Sequence, residues 1–200
     1  MPLLKIKLVE ADGAAALKTA VDAYLTAQSV VASVRGAAVC SFKSSDGDHR
    51  LFQALAINGR AVPAAGTRTS DVQFLSVEAE TLALAQTALD NALFQAVHAT
   101  NAAGNANTTP GSIITGASLF VAGDVGRQIT IGSAVRTITS FTSATTVVYS
   151  GALIAGTGLL VKLHGAEVLQ PGTLDLNVTK SAAGVAKYAV SCTVNGEAQV

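Results

Sequence analysis

A chain of 200 residues is long enough to bury a core of its own, and two cysteines are too few for a disulfide scaffold. Lys plus Arg and Asp plus Glu number 13 each, and charged residues make up 13% of the chain, against roughly 25% in a typical soluble domain. A nucleic-acid binder needs a dense basic field to displace counterions from phosphate, and this thin scatter of cations argues against one.

Half the residues are hydrophobic, much of that alanine and valine, with no tryptophan and a mean hydropathy of +0.45. So bland a surface suits a chain covered in part by copies of itself or by other subunits, because a free monomer relies on charge for solubility. The start, MPLLKIKLVEADGAAA, places Lys5, Lys7, Glu10 and Asp12 where a signal peptide needs an unbroken apolar stretch. No run reaches the about 18 apolar residues of a membrane span. The expectation is a chain made in a cytoplasm and free of membrane, so the sequons at Asn107 and Asn177 carry little meaning.

In chain order, LLKIKLV alternates Leu4, Ile6 and Leu8 with Lys5 and Lys7, the period of a half-buried strand. Asp12 reads as the N-cap of an amphipathic helix carrying Leu17, Ala20, Val21, Tyr24 and Leu25 on one face and ending near Gln28. AAVCSFK and HRLFQALAI flank SSDGD, so Asp46-Gly47 reads as a hairpin turn; Asn58-Gly59 reads as a second turn. DVQFLS fits a short strand, and also a capping box from Ser70 to Gln73. Leu82, Leu89, Leu93 and Val97, after Glu78 and Glu80, predict a long helix from Val77 to about His98, capped by Ser76.

The composition changes at ATNAAGNANTTPG, which has no periodicity and reads as a linker or arm over 99–111. Beyond it QITI, VRTITSF, TTVVYS and LLVKLH recur at short spacing, with Asp124, Arg127 and Arg136 the only charges before Lys162. This predicts a small all-β module, sandwich-like or barrel-like, over 112–165. The last segment, 166–200, alternates Leu174, Leu176 and Val178, then Tyr188, Val190, Cys192 and Val194. Those strands either continue the β module or complete the first unit, which would make the module an insertion. Insertion is favoured, because one strand and a hairpin form a thin sheet for two helices to cover. The expected fold is α+β: a strand-helix-hairpin-helix unit over 1–98 plus the β module.

No catalytic constellation stands out. His49 follows Asp46 and Asp48 in a turn too poor in oxygen ligands for calcium; His98 sits at the expected helix C-terminus; His164 has only Glu167 nearby. There is no HExxH, Cys-x-x-Cys or Gly-x-Ser-x-Gly, and Cys40 and Cys192, each within an apolar alternation, read as buried free thiols. Gly156 and Gly158 imitate the start of a dinucleotide fingerprint, but a strand follows where a helix is required. The dispersed Tyr24, Tyr149 and Tyr188 offer no sugar platform. The expectation is a non-enzyme with no cofactor and no metal.

The stretch SLFVAGDVGRQITIGSAVRTITSFTSATTVVYS, about a fifth of the chain, resembles a small β module that recurs in bacteriophage virion proteins, notably tail-associated and fibre-like ones. Phe120, Asp124, Val125, Gly126, Arg127, Ile129, Ile131, Ile138, Thr139, Ser140, Thr145 and Val147 occupy the pattern, while the turn GSAVRT carries a single glycine. The resemblance implies a structural or interaction role and brings no catalytic residues. Read from the residues themselves, Asp124 closes a turn, Gly126 takes a positive φ, and Ile129 and Ile131 face inward. Threonines on the opposite face suit a covering subunit, since they pair without the desolvation cost of charge. Arg127, Thr130, Arg136, Thr137, Thr139 and Thr145 are the candidate interaction surface. The function expected is a virion structural protein assembled in the bacterial host cytoplasm, a capsid decoration (cement) protein that stabilises the capsid through inter-subunit contacts. Its expected partners are further copies of itself and the major capsid or tail proteins. A tail, neck, baseplate or fibre component is the alternative, and a receptor- or glycan-binding module the alternative from another class.

Overall fold

In the computed structural model, described for residues 2–28, 34–61, 72–101, 111–115, 118–156, 158–165, 167–168, 171–181 and 187–196, the first strand β1 (Pro2–Ala11) runs into helix α1 (Gly13–Ala27). Leu4, Ile6 and Leu8 of β1 are buried on one face, as the alternation requires. Helix α1 lies on the other face: Leu17, Ala20, Val21, Tyr24 and Leu25 pack with Val9 and with Leu55 and Ile57 of β3. Asp12 occupies the N-cap position but makes no side-chain cap bond; its carboxylate lies 2.9 Å from Arg50 Nε in an ion pair.

Strands β2 (Val34–Lys43) and β3 (His49–Ala61) form the hairpin expected around Asp46-Gly47, with Lys43 opposite His49, Ser44 N donating to Asp48 O, and Gly47 at φ +90°. The second expected turn, Asn58-Gly59, is absent: both residues lie within β3, Asn58 opposite Leu4. Gly59 answers to space rather than to turn geometry, since a Cβ there would stand 2.7 Å from Glu167 Oε1.

DVQFLS resolves as strand β4 (Val72–Ala79), with Ser70 outside the described residues. Leu75 and Val77 join the core while Phe74, Ser76 and Glu78 are exposed, a period of two that excludes the expected helix start at Ser76. Helix α2 (Leu82–Ala92) begins instead after Thr81, whose hydroxyl accepts the Leu84 N–H at 3.2 Å, and ends at Leu93 in extended conformation. Strand β5 (Phe94–Asn101) follows at once, so Val97 and His98 are strand residues and the expected helical stretch to His98 is cut short. Its start is pinned by the buried Gln73, whose amide donates to Phe94 O at 2.7 Å and accepts from Phe94 N at 3.2 Å. The side-chain amide thereby acts as a surrogate strand residue.

Of the expected linker, 99–101 belong to β5, Gly111 opens β6 (Gly111–Thr115), and 102–110 lie outside the described residues. A short 3-10 turn (Ala122–Asp124) leads to β7 (Gln128–Ile131), β8 (Ala134–Ser143), β9 (Thr146–Tyr149) and β10 (Leu160–His164). Pairing runs β10-β5-β6-β9-β8-β7 and returns from β7 to β10, closing a barrel. The barrel thus starts at Phe94, inside the segment expected to belong to the first unit. Ile113, Phe120, Ile129, Ile131, Ile138, Val147, Tyr149, Val161 and Leu163 fill it.

The chain then returns. Strand β11 (Glu167–Val168) pairs with β1, while β12 (Pro171–Ser181) and β13 (Lys187–Gly196) join β4 in the order β12-β13-β4. This sheet packs on β11-β1-β3-β2, with Val178, Tyr188, Val190, Cys192 and Val194 meeting Leu4, Ile6, Leu8 and Phe52, and with Ala85, Leu89 and Leu93 contributed by the α2 segment. The edge of β1 beyond the short β11 is satisfied from α2: Gln86 accepts from Leu8 N at 2.8 Å and donates to Ile6 O at 3.0 Å. The molecule is a strand-dominated α+β protein, a two-sheet sandwich joined to a barrel.

Candidate interaction surface

The segment Asp124–Arg127 is a type II β-turn: Val125 has φ −59° and ψ 130°, Gly126 has φ +90°, and Arg127 N donates to Asp124 O at 3.0 Å. Position three of such a turn requires positive φ, which explains glycine there. Asp124 is only 1% exposed. Its carboxylate accepts Val121 N at 2.8 Å and pairs with Arg127 Nη1 at 3.2 Å. Arg127 also lies across Gly165, where a Cβ would stand 2.9 Å from Nη1. The guanidinium is therefore committed to neutralising a buried carboxylate within its own chain.

The other candidates divide. Thr137 and Thr139 are exposed on β8, next to Val135 at 54% exposure, with the Thr139 hydroxyl reaching Val148 O at 3.3 Å. Thr130 is half-buried and shares a 2.7 Å hydrogen bond with His164 Nε2. Arg136 pairs with the buried Ile129 and so sits on the opposite face of β8 from Thr137; its Nη1 donates to Val135 O at 2.9 Å, and its shaft covers Gly151. Thr145 lies in the β8–β9 turn, where its carbonyl accepts both the N–H and the hydroxyl of Thr115 at 2.8 and 3.2 Å. The structure does not gather the six residues on one face.

A surface outside that set is more extended. The outer face of the β12-β13-β4 sheet carries Phe74, 77% exposed, opposite Thr193, followed along β4 by Ser76 opposite Ser191 and Glu78 opposite Ala189. Small residues on the central strand between Ser76 and Glu78 on one side and Asn177 and Thr179 on the other leave a shallow trough of about 240 Å³. Lys187 Nζ stands 3.7 Å from Glu78 at its end. Helix α1 covers the outer side of the other sheet, and among the described residues no helix covers this one. The signal in the sequence was a phenylalanine in the polar register of QFLSVEAE, an alternation that also fitted a capping box.

The densest ionisable cluster closes one end of the sandwich. The Tyr188 hydroxyl donates to Glu10, while Arg50 meets Glu10 at 3.4 Å, Asp12 at 2.9 Å and Asp46 at 3.4 Å. Lys180 Nζ sits 3.5 Å over the Tyr188 ring. Burial, reinforced by Glu10, pushes the phenol up to about 12, so it is held protonated rather than poised as a base. Burial likewise raises both free thiols, Cys192 to about 12, the opposite of thiolate activation. Among the described residues no group of three or more His, Cys, Asp or Glu is placed to hold a metal ion, and no helix is long and apolar enough to cross a membrane. A scan against protein-family models, a search of curated proteins and a search of solved structures each found no match to this chain.

Proposed function

We propose that this chain is a non-enzymatic structural protein of a bacteriophage virion, and within that class a capsid decoration protein that clamps neighbouring subunits. One observation carries the reading: a sheet face of hydroxyl and amide side chains that no helix covers among the described residues, with Phe74 77% exposed at its corner. Serine and threonine lose little on desolvation when they find partners, and burying a phenylalanine contributes roughly 1.5–3 kcal/mol, so such a face gains by being covered. The resemblance of the Ser118–Ser150 stretch to phage virion modules supports a virion setting. Because those modules are notably tail-associated, a tail, neck or baseplate position is the second reading.

The test is to add purified protein, sized by light scattering, to capsids and to tails that lack it. Binding to capsids with a raised capsid melting temperature is the expected result. Binding to tails alone moves the protein to the second reading. A monomer that binds neither, but retains a host-surface polysaccharide on a column, overturns both in favour of a glycan-binding module.

A further inference from the structure

Each sheet of the sandwich ends in edge strands, and the outer row of N–H and C=O groups on such a strand is a template for a further strand. The edge of β1 is closed within the chain: β11 pairs with Leu4 and Lys5, and the Gln86 amide accepts from Leu8 N at 2.8 Å and donates to Ile6 O at 3.0 Å. Strands β2 and β12 end their sheets on one side of the sandwich and lean on each other. A Cβ at Gly36 would stand 2.9 Å from Leu174 Cδ2, and Lys180 Nζ lies 5.7 Å over the Phe42 ring. Strand β4 is the exception. It ends the β12-β13-β4 sheet, and in an antiparallel ladder every second residue turns its N–H and C=O away from the neighbouring strand. Among the described residues, none bonds to that outer row of β4. Nor does β4 carry what blunts an exposed edge. Its register with β13 runs unbroken from Val72 to Ala79, so no bulge twists it away, and VQFLSVEA holds neither proline nor lysine. Its one charged residue, Glu78, already faces Lys187 Nζ of β13 at 3.7 Å.

We propose that the outer edge of β4 pairs with the same edge of a second copy, antiparallel about a twofold axis through Ser76, joining two three-stranded sheets into one continuous sheet. The strand is self-complementary in that register. Directly opposed residues share a face, so Leu75 meets Val77 of the second copy on the core side, and Phe74 meets Glu78 of the second copy on the exposed side. The first pair extends the apolar layer between the sheets. In the second, the Phe74 ring lies against the methylenes of Glu78, and the two Glu78 carboxylates stay apart. Neighbouring registers match less well: an axis through Leu75 opposes Gln73 to Val77, and an axis through Val77 opposes Phe74 to Glu80. With 13% charged residues, the chain carries little repulsion to keep copies from meeting. The pairing leaves the outer face of the sheet open and doubles its extent, so it goes beyond the proposed virion role and does not depend on it.

The experiment is light scattering of the full chain over a concentration series, without capsids or tails, so that its outcome and that of the virion test are read separately. The parent is expected to dimerise. Ser76→Lys and Ser76→Glu, which each set like charges opposite one another on the axis, should weaken the dimer at least tenfold while keeping the parent melting temperature, and an equal mixture of the two should restore it. Thr193→Lys, on the central strand of the same face, should dimerise like the parent. A parent that is monomeric at roughly 0.1 mM, a dimer indifferent to Ser76→Lys, a mixture of folded variants that stays monomeric, or a dimer broken equally by Thr193→Lys overturns the proposal. If either Ser76 variant fails to fold, amide exchange of the parent decides: alternate amides of β4 gain protection as concentration rises, and β4 protection that is the same in dilute and concentrated samples overturns edge pairing.

Discussion

A buried polar side chain without a hydrogen-bond partner is informative at the scale of the single residue. Gln95 of β5 is 1% exposed and pairs with Leu163, which places its side chain among the apolar barrel residues; neither its Oε1 nor its Nε2 has a hydrogen-bond partner. A buried amide without partners costs about 1–3 kcal/mol, whereas an apolar side chain of similar volume carries no such penalty. Gln95→Leu is therefore expected to raise unfolding free energy by about 1 kcal/mol or more in urea titrations; an unchanged or lowered value would show that the amide is satisfied in solution. Tyr188 gives a prediction in pH. Its folded pKa, about 12, lies above the ordinary phenol value of 10.0, so the unfolded chain releases that proton first. The associated stabilisation is complete below pH 10 and is lost as pH rises toward 12. Tyr188→Phe should flatten that alkaline decline in stability, and an identical slope in the variant would refute the assignment.

Elements follow local pattern only where a partner agrees with it. The two glycine turn signals are chemically alike, yet Asp46-Gly47 turns the chain and Asn58-Gly59 does not, because β1 continues to pair through Asn58 to Ala61. The helix expected to start at Ser76 starts instead after Thr81, and the rival claim on 76–79 comes from β13, more than a hundred residues downstream. Thr81→Ala should cost about 1 kcal/mol through loss of the Leu84 cap bond, while Ser76→Ala, on an exposed strand position, should change stability by less than about 0.5 kcal/mol. Equal effects in thermal denaturation would contradict this boundary. The same reasoning sets the limit of what could be read in advance. Strand β1, helix α1 and the first hairpin were legible because their apolar spacing fits only one period. The alanine-rich 77–98 fits both, and strand pairing decided its two ends, leaving a helix only over Leu82–Ala92. Of the candidate surface, the Asp124–Gly126 turn chemistry was legible. That Arg127 is spent on Asp124, and that Thr130 answers to His164, depends on contacts made only when the barrel closes.

At the scale of the whole molecule, the two sheets of the sandwich are treated differently, and this difference is what a partner would read. One sheet is covered by α1 over β1 and β3; the other displays hydroxyl and amide groups with Phe74 at its corner. An exposed phenylalanine contributes nothing to folding that a serine would not, since its ring is in water in both states. Phe74→Ser should therefore leave unfolding free energy within about 0.5 kcal/mol of the parent, while, under the role proposed above, weakening the binding to capsids or tails by tenfold or more, as loss of a buried aromatic anchor does. Val39, 57% exposed on the outer side of β2, supplies the control, because it lies on the sheet that α1 partly covers. If Val39→Ser weakens assembly as much as Phe74→Ser, or if Phe74→Ser assembles normally, the contact lies elsewhere on the surface and the β12-β13-β4 face loses its claim.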